Sequence, residues 1–113
     1  MNKKNDEFLK KLFATFRVEA DEHLKAMSSG LMDLEKIPAG VPQTELVEKI
    51  FREAHSLKGA ARAVNLTEIE MVCHSLESVF AALKGKDLTV SAPLFDLLHQ
   101  AIDAVGKFLA PDV

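Results

Sequence analysis

Apolar residues recur along this chain at steps of three and four, and nowhere at steps of two for more than a few positions. In the first third they fall at Leu9, Phe13, Phe16, Ala20, Leu24, Met27, Leu31 and Leu34, the stripe of one long amphipathic helix. Asn5 or Asp6 starts it, with Asp6 and Glu7 favourable in the first turn. Gly30 sits inside the stripe and weakens its end, at a cost of about 1 kcal/mol against alanine. Residues 37–42, IPAGVP, then stop the helix with two prolines and a glycine. A second periodic segment runs from Thr44 to Val64, with Val47, Ile50, Ala54, Leu57, Ala61 and Val64 on its core stripe and Leu46 and Phe51 flanking.

A third segment begins at Thr67, where Thr67 and Glu70 have capping-box spacing. Its stripe is Ile69, Val72, Cys73, Leu76, Val79 or Phe80, and Leu83, with Gly85 as a stop. Ser91 and Pro93 introduce a fourth segment, in which Leu94, Leu98, Ala101, Ile102, Val105 and Phe108 face inward and Pro111 ends the run. The pair Thr89-Val90 is too short for a strand. The expected fold is all-α, an up-down antiparallel four-helix bundle forming one domain over residues 1–113.

Composition narrows the function classes. At 113 residues and 48% hydrophobic, the chain suffices for one core. A formal charge of −3 argues against a nucleic-acid binder, which is normally basic. No apolar run approaches the ~20 residues of a membrane span, and the polar opening MNKKNDEF leads into no signal-peptide stretch. No membrane association and a cytoplasmic location are the default expectations. Cys73 is the single cysteine, so no intramolecular disulfide forms, and its apolar neighbours mark it as core.

The chemistry-bearing stretch lies on the second helix, in AHSLKGAAR, residues 54–62. His55, Lys58, Gly59 and Arg62 stand at i, i+3, i+4 and i+7 and so share one face. Phe51 and Arg52 border that face one turn earlier. The core stripe runs beside it, which leaves the imidazole exposed with a cation one turn away. Imidazole is a competent nucleophile near neutral pH. Lys58 can offset the charge of arriving phosphoryl oxygens. Glycine is unfavourable in mid-helix, so Gly59 needs a reason, and a bare surface where a partner must come close supplies one. On the third helix His74 and Glu77 share a face. If helices two and three are antiparallel neighbours, a Glu77 carboxylate accepting from one ring nitrogen orients His55 and leaves the other nitrogen free to attack. Taken singly, each of these residues is an ordinary surface group; their combination points to function.

The stretch AHSLKGAARAVNL resembles the HxxKG signature of histidine-containing phosphotransfer domains, especially the N-terminal domain of CheA-type chemotaxis kinases. FRVEADEHLKAMSSGLMDLEK, LVEKIFREAHSLKGAA and EMVCHSLESVFAALKGK resemble that family's first three helices, so the likeness covers nearly the whole chain. It implies phosphorylation of His55 on the solvent-facing ring nitrogen. Glu77 would hold the other nitrogen, with His74 and Lys58 completing a polar network. Gly59 would give a partner access, with Arg62, Phe51 and Arg52 around the contact. Such a domain is not an enzyme alone and holds no cofactor. ATP and magnesium belong to a histidine kinase catalytic domain, and a response-regulator receiver aspartate removes the phosphoryl group. The isolated domain is expected to be a monomer.

This chain departs from the pattern in carrying Arg62 and Asn65 where many CheA relatives have further glycines. Asn65 still suits a left-handed helix end, and Arg62 adds bulk and charge that bear on partner choice. The alternative is an inert bundle of the same fold, serving structure or dimerisation. An autonomous enzyme is disfavoured because no phosphate-cradling GxxxxGK[ST] loop occurs. A di-metal bundle needs paired Glu-x-x-His motifs, and only Asp96 to His99 comes near. No metal site is expected, and His23 and His99 are expected to be surface or boundary residues.

Overall fold

The computed structural model describes residues 3–38 and 40–109, with the side chain of Lys3 excluded. Four helices follow one another: α1 (Lys3–Glu35), α2 (Thr44–Ala63), α3 (Thr67–Lys84) and α4 (Ala92–Leu109). Each packs on its neighbours in a closed ring, α1 on α2, α2 on α3, α3 on α4 and α4 on α1. Cross-helix pairs fix the directions. His23 meets Glu53 and the Gly30 position meets Ile50, so α2 runs against α1. Lys58 meets Glu77 and Glu48 meets Lys84, so α3 runs against α2. This is the up-down antiparallel bundle the periodicity called for.

The buried set is wholly apolar among the described residues, and it follows the helical stripes from Phe16 to Leu34 on α1, Val47 to Ala61 on α2, Ile69 to Phe80 on α3 and Leu98 to Val105 on α4. Transfer of this surface from water is the main stabilising term. The ends of the stripes depart from expectation. Leu9 and Phe13 are 40% and 38% exposed, and Phe108 is 55% exposed. For Leu9 and Phe13 the cause is length: α1 has 33 residues, whereas its partners have 18 to 20. At about 1.5 Å per residue, α1 outruns them, so its first turns carry the core pattern past the end of the core. On α4 it is Leu109 that packs against the core, and Phe108 faces outward.

Gly30 also has a different reason from the one its propensity suggested. It is buried, and a Cβ there would lie 2.8 Å from Ile50 Cγ1, so its bare backbone is what lets α1 and α2 close together. Asn65 takes the left-handed conformation, φ 61°, and ends α2 in a Schellman turn: Leu66 N–H donates to Ala61 O and Asn65 N–H to Arg62 O. At the end of α3 the same turn puts the left-handed residue at Lys86, φ 64°, with Gly85 one place too early in a right-handed conformation. Thr67 is the first residue of α3 and its side chain caps nothing; Leu66 occupies the N-cap, so the capping box does not form. Ser91 Oγ does accept from Leu94 N–H at 3.3 Å, capping α4. Pro111 lies outside the described residues. No helix of the described residues is long and apolar enough to cross a membrane.

Candidate functional site

Antiparallel packing of α2 on α3 brings His55 opposite Glu77. His55 Nδ1 and Glu77 Oε1 are 2.9 Å apart, and the imidazole is 63% exposed while the carboxylate is only 13% exposed. A carboxylate accepts, so Nδ1 carries the proton and donates it. The lone pair of the neutral ring then sits on Nε2. Lys58 Nζ approaches the second carboxylate oxygen at 2.5 Å. That oxygen is closed off from solvent, and the Lys58 ammonium is its ion-pair partner among the described residues.

The electrostatics of Glu77 result from two opposed causes. Burial pushes its carboxyl toward the neutral form, but hydrogen bonds from Lys58 and His55 and their charges outweigh it, and the carboxyl is held below its ordinary value. The carboxylate therefore stays ionised as a fixed negative partner for the ring. One turn before Glu77, burial and then the Glu77 charge push the Cys73 thiol up to about 11, so this cysteine is an inert core group.

The remaining predicted residues divide. The Phe51 ring lies nearly parallel to the imidazole, at 6° and a centroid separation of 6.4 Å, as a wall on one side. A Cβ added at Gly59 would meet nothing within 4 Å, so this part of the face is open. Arg52 points back along α2 to Glu48 Oε1 at 2.9 Å, an oxygen that Lys84 also approaches at 3.5 Å. Arg62 reaches across to α3, its Nε 3.2 Å from Glu70 Oε2. His74 does not join the network. It is exposed and lines a groove of about 550 Å³ with Lys58, Arg62, Glu70 and Met71, without a hydrogen bond of its own side chain.

Two further histidines have carboxylate partners that the sequence did not disclose. His23 Nδ1 lies 2.6 Å from Glu53 Oε2, and His99 Nε2 bonds to Glu35 Oε1. These pairs span 30 and 64 residues, so only the helix register reveals them. His23 and Glu53 are each 27% exposed, and no lysine closes on either pair among the described residues. His55 alone among them unites a carboxylate, a lysine and an open approach. No group of three or more His, Cys, Asp or Glu among the described residues is placed to hold a metal ion.

An exposed imidazole held by a half-buried carboxylate on a four-helix bundle is the arrangement that a phosphohistidine carrier domain requires. The Hpt domain family model matches residues 11–108, and the chain belongs to that family. It is 36% identical over 85 residues to chemotaxis protein CheA of Bacillus subtilis (strain 168), covering 75% of this chain and 12% of that one. Chemotaxis protein CheA of Treponema pallidum (strain Nichols) is 30% identical over 105 residues, 93% of this chain and 12% of the relative. The chain thus spans about an eighth of the length of these relatives. The CheA phosphotransferase domain from Thermotoga maritima superposes with a TM-score of 0.80 at 26% identity, covering 89% of this chain and 92% of that one.

Proposed function

We infer that this domain is a phosphocarrier of a chemotaxis-type two-component pathway, with Nε2 of His55 as the atom that bears the phosphoryl group. The observation that carries the reading is the Nδ1 contact to Glu77 at 2.9 Å, which leaves Nε2 as the free nitrogen of a mostly exposed ring.

In the first half-reaction Nε2 forms a bond to the γ-phosphorus of ATP, and the bond from that phosphorus to the bridging oxygen breaks. ADP leaves with the electron pair. ATP and magnesium are held by the partner kinase domain, and this chain contributes the nucleophile. Nδ1 keeps its proton, so the positive charge that builds on the ring faces the Glu77 carboxylate. Lys58 neutralises the other side of that carboxylate and keeps it ionised, and it lends positive potential to the arriving oxygens. In the second half-reaction a receiver carboxylate oxygen attacks phosphorus, the N–P bond breaks, and its electron pair returns to Nε2. The reaction needs no conformational switch, because the acceptor is already exposed. In this reading the isolated domain is a cytoplasmic monomer.

Phosphorus and nitrogen NMR of the domain phosphorylated by a CheA-type kinase core tests the assignment. The expected product is the Nε2 phosphoimidazole of His55. A phosphoryl group on Nδ1, or on His23, His74 or His99, contradicts it.

A further inference from the structure

His55 and Arg62 lie on one face of α2, about 10 Å apart along the helix axis at about 1.5 Å per residue. A standard protein interface covers about 800 Å² on each partner, a disc of about 16 Å radius. An interface of that kind centred on Nε2 therefore also covers Arg62. Between the two residues the helix is bare at Gly59, so nothing holds the partner off.

Arg62 is exposed over 78% of its side chain, and its contact within the chain runs through Nε to Glu70 Oε2 at 3.2 Å. Neither terminal guanidinium nitrogen has a hydrogen bond among the described residues. Arg52, at the other end of the same face, differs: its terminal nitrogen is already bonded to Glu48 at 2.9 Å. Covering Arg62 strips water from donors that the domain does not satisfy, which is unfavourable unless the partner brings an acceptor. Beside it, Met71 is 64% exposed, and His74 and Ser75 continue the groove. The complementary surface is a carboxylate with an apolar side chain next to it.

The two transfers differ in how closely they press on Arg62. When the kinase delivers phosphoryl, a triphosphate chain lies between the two proteins. When the receiver removes it, the phosphorus is bonded to the ring and the acceptor is a side-chain carboxylate, so the protein surfaces meet directly. Desolvation of Arg62 is then deepest. We propose that Arg62 is a specificity-determining residue for the second transfer, selecting receiver domains that set a carboxylate, flanked by an apolar side chain, over the groove between Arg62 and Met71. This deepens the phosphocarrier reading and rests on it.

The test uses the chain phosphorylated by a CheA-type kinase core and a panel of receiver domains, with single-turnover transfer followed against receiver concentration. Receivers that accept phosphoryl from the wild type form the working set. Arg62→Glu is expected to raise the half-saturating receiver concentration about tenfold or more, with the saturating transfer rate within about twofold. That rise exceeds any change in half-saturation by the kinase. Exchanging one surface carboxylate of the receiver for lysine restores transfer from Arg62→Glu. An unchanged half-saturating concentration in a variant whose circular dichroism matches wild type overturns the proposal. So does an equal weakening toward kinase and receiver, or a loss confined to the saturating rate. If no label enters the wild-type chain, the phosphocarrier reading itself falls, and the two failures are told apart.

Discussion

Removing the Glu77 carboxylate separates the orientation of His55 from its mere presence. In Glu77→Ala the ring loses the hydrogen bond at 2.9 Å that holds it, while its backbone position stays on a packed helix. A free imidazole has about three χ1 wells and two ring orientations, so about six states replace one, worth about 1 kcal/mol. The carboxylate also faces the positive charge that grows on the ring. For a ring 63% exposed, solvent screening limits that share to about 1 kcal/mol. Together they slow phosphoryl acceptance about thirtyfold. Glu77→Gln keeps an oxygen that accepts from Nδ1 and loses only the charge, so it slows acceptance about fivefold. The assay is the initial rate of label uptake from ATP at saturating kinase core, alongside a thermal melt of each variant. Lys58 is 23% exposed and loses its ion pair, which costs about 1 kcal/mol of stability and leaves the bundle folded. A wild-type rate in folded Glu77→Ala refutes the reasoning, and so does a glutamine variant slower than the alanine variant.

Three further outcomes follow from the same geometry. Gly30→Ala gains about 1 kcal/mol of helix propensity but pushes a methyl to 2.8 Å from Ile50 Cγ1, the root of a side chain only 1% exposed. Overpacking of this kind costs about 1–3 kcal/mol, so urea denaturation is expected to show a net loss of about 1 kcal/mol, and a stabilised variant contradicts the packing role of Gly30. Gly59→Ala meets open space, so it raises stability by about 0.5–1 kcal/mol in the same measurement while slowing transfer to the receiver; unchanged transfer refutes the access role. The depressed carboxyl of Glu77 contributes stability that is present above its unfolded value of about 4.3 and is lost as pH falls through the folded one. The stability difference between wild type and Glu77→Gln is therefore expected to shrink on acidification below about pH 4.3, and a constant difference down to acid unfolding contradicts the ion-pair assignment.

The helices and their inward faces were legible because burial repeats every three to four residues: the α2 stripe from Val47 to Ala61 is buried as read, and so are Ile69, Cys73, Leu76 and Phe80 on α3, with Val72 half-buried. What the pattern lacks is the length of the neighbours. Leu9 and Phe13 keep core spacing where no partner helix covers them, and a periodicity confined to one helix carries no sign of that. Local chemistry at helix ends was read in part. Asn65 and Ser91 act as expected, whereas Lys86 takes the left-handed turn position that Gly85 was expected to mark. At the site, His55, Lys58 and Gly59 were visible together because helical spacing alone places them on one face. Glu77 required the α2–α3 register, which the sequence supplied only as a condition. His74 shares a helix face with Glu77, yet Glu77 meets the imidazole and His74 lines the groove. The His23–Glu53 and His99–Glu35 pairs belong wholly to the tertiary packing.

The most direct test is phosphorylation of the wild-type chain and of His55→Gln by a CheA-type kinase catalytic core with labelled ATP, both checked for fold by circular dichroism. Acid-labile, alkali-stable label is expected on the wild type and none on the variant, with the bundle intact in both. Label that persists in folded His55→Gln contradicts the assignment of His55 as the acceptor.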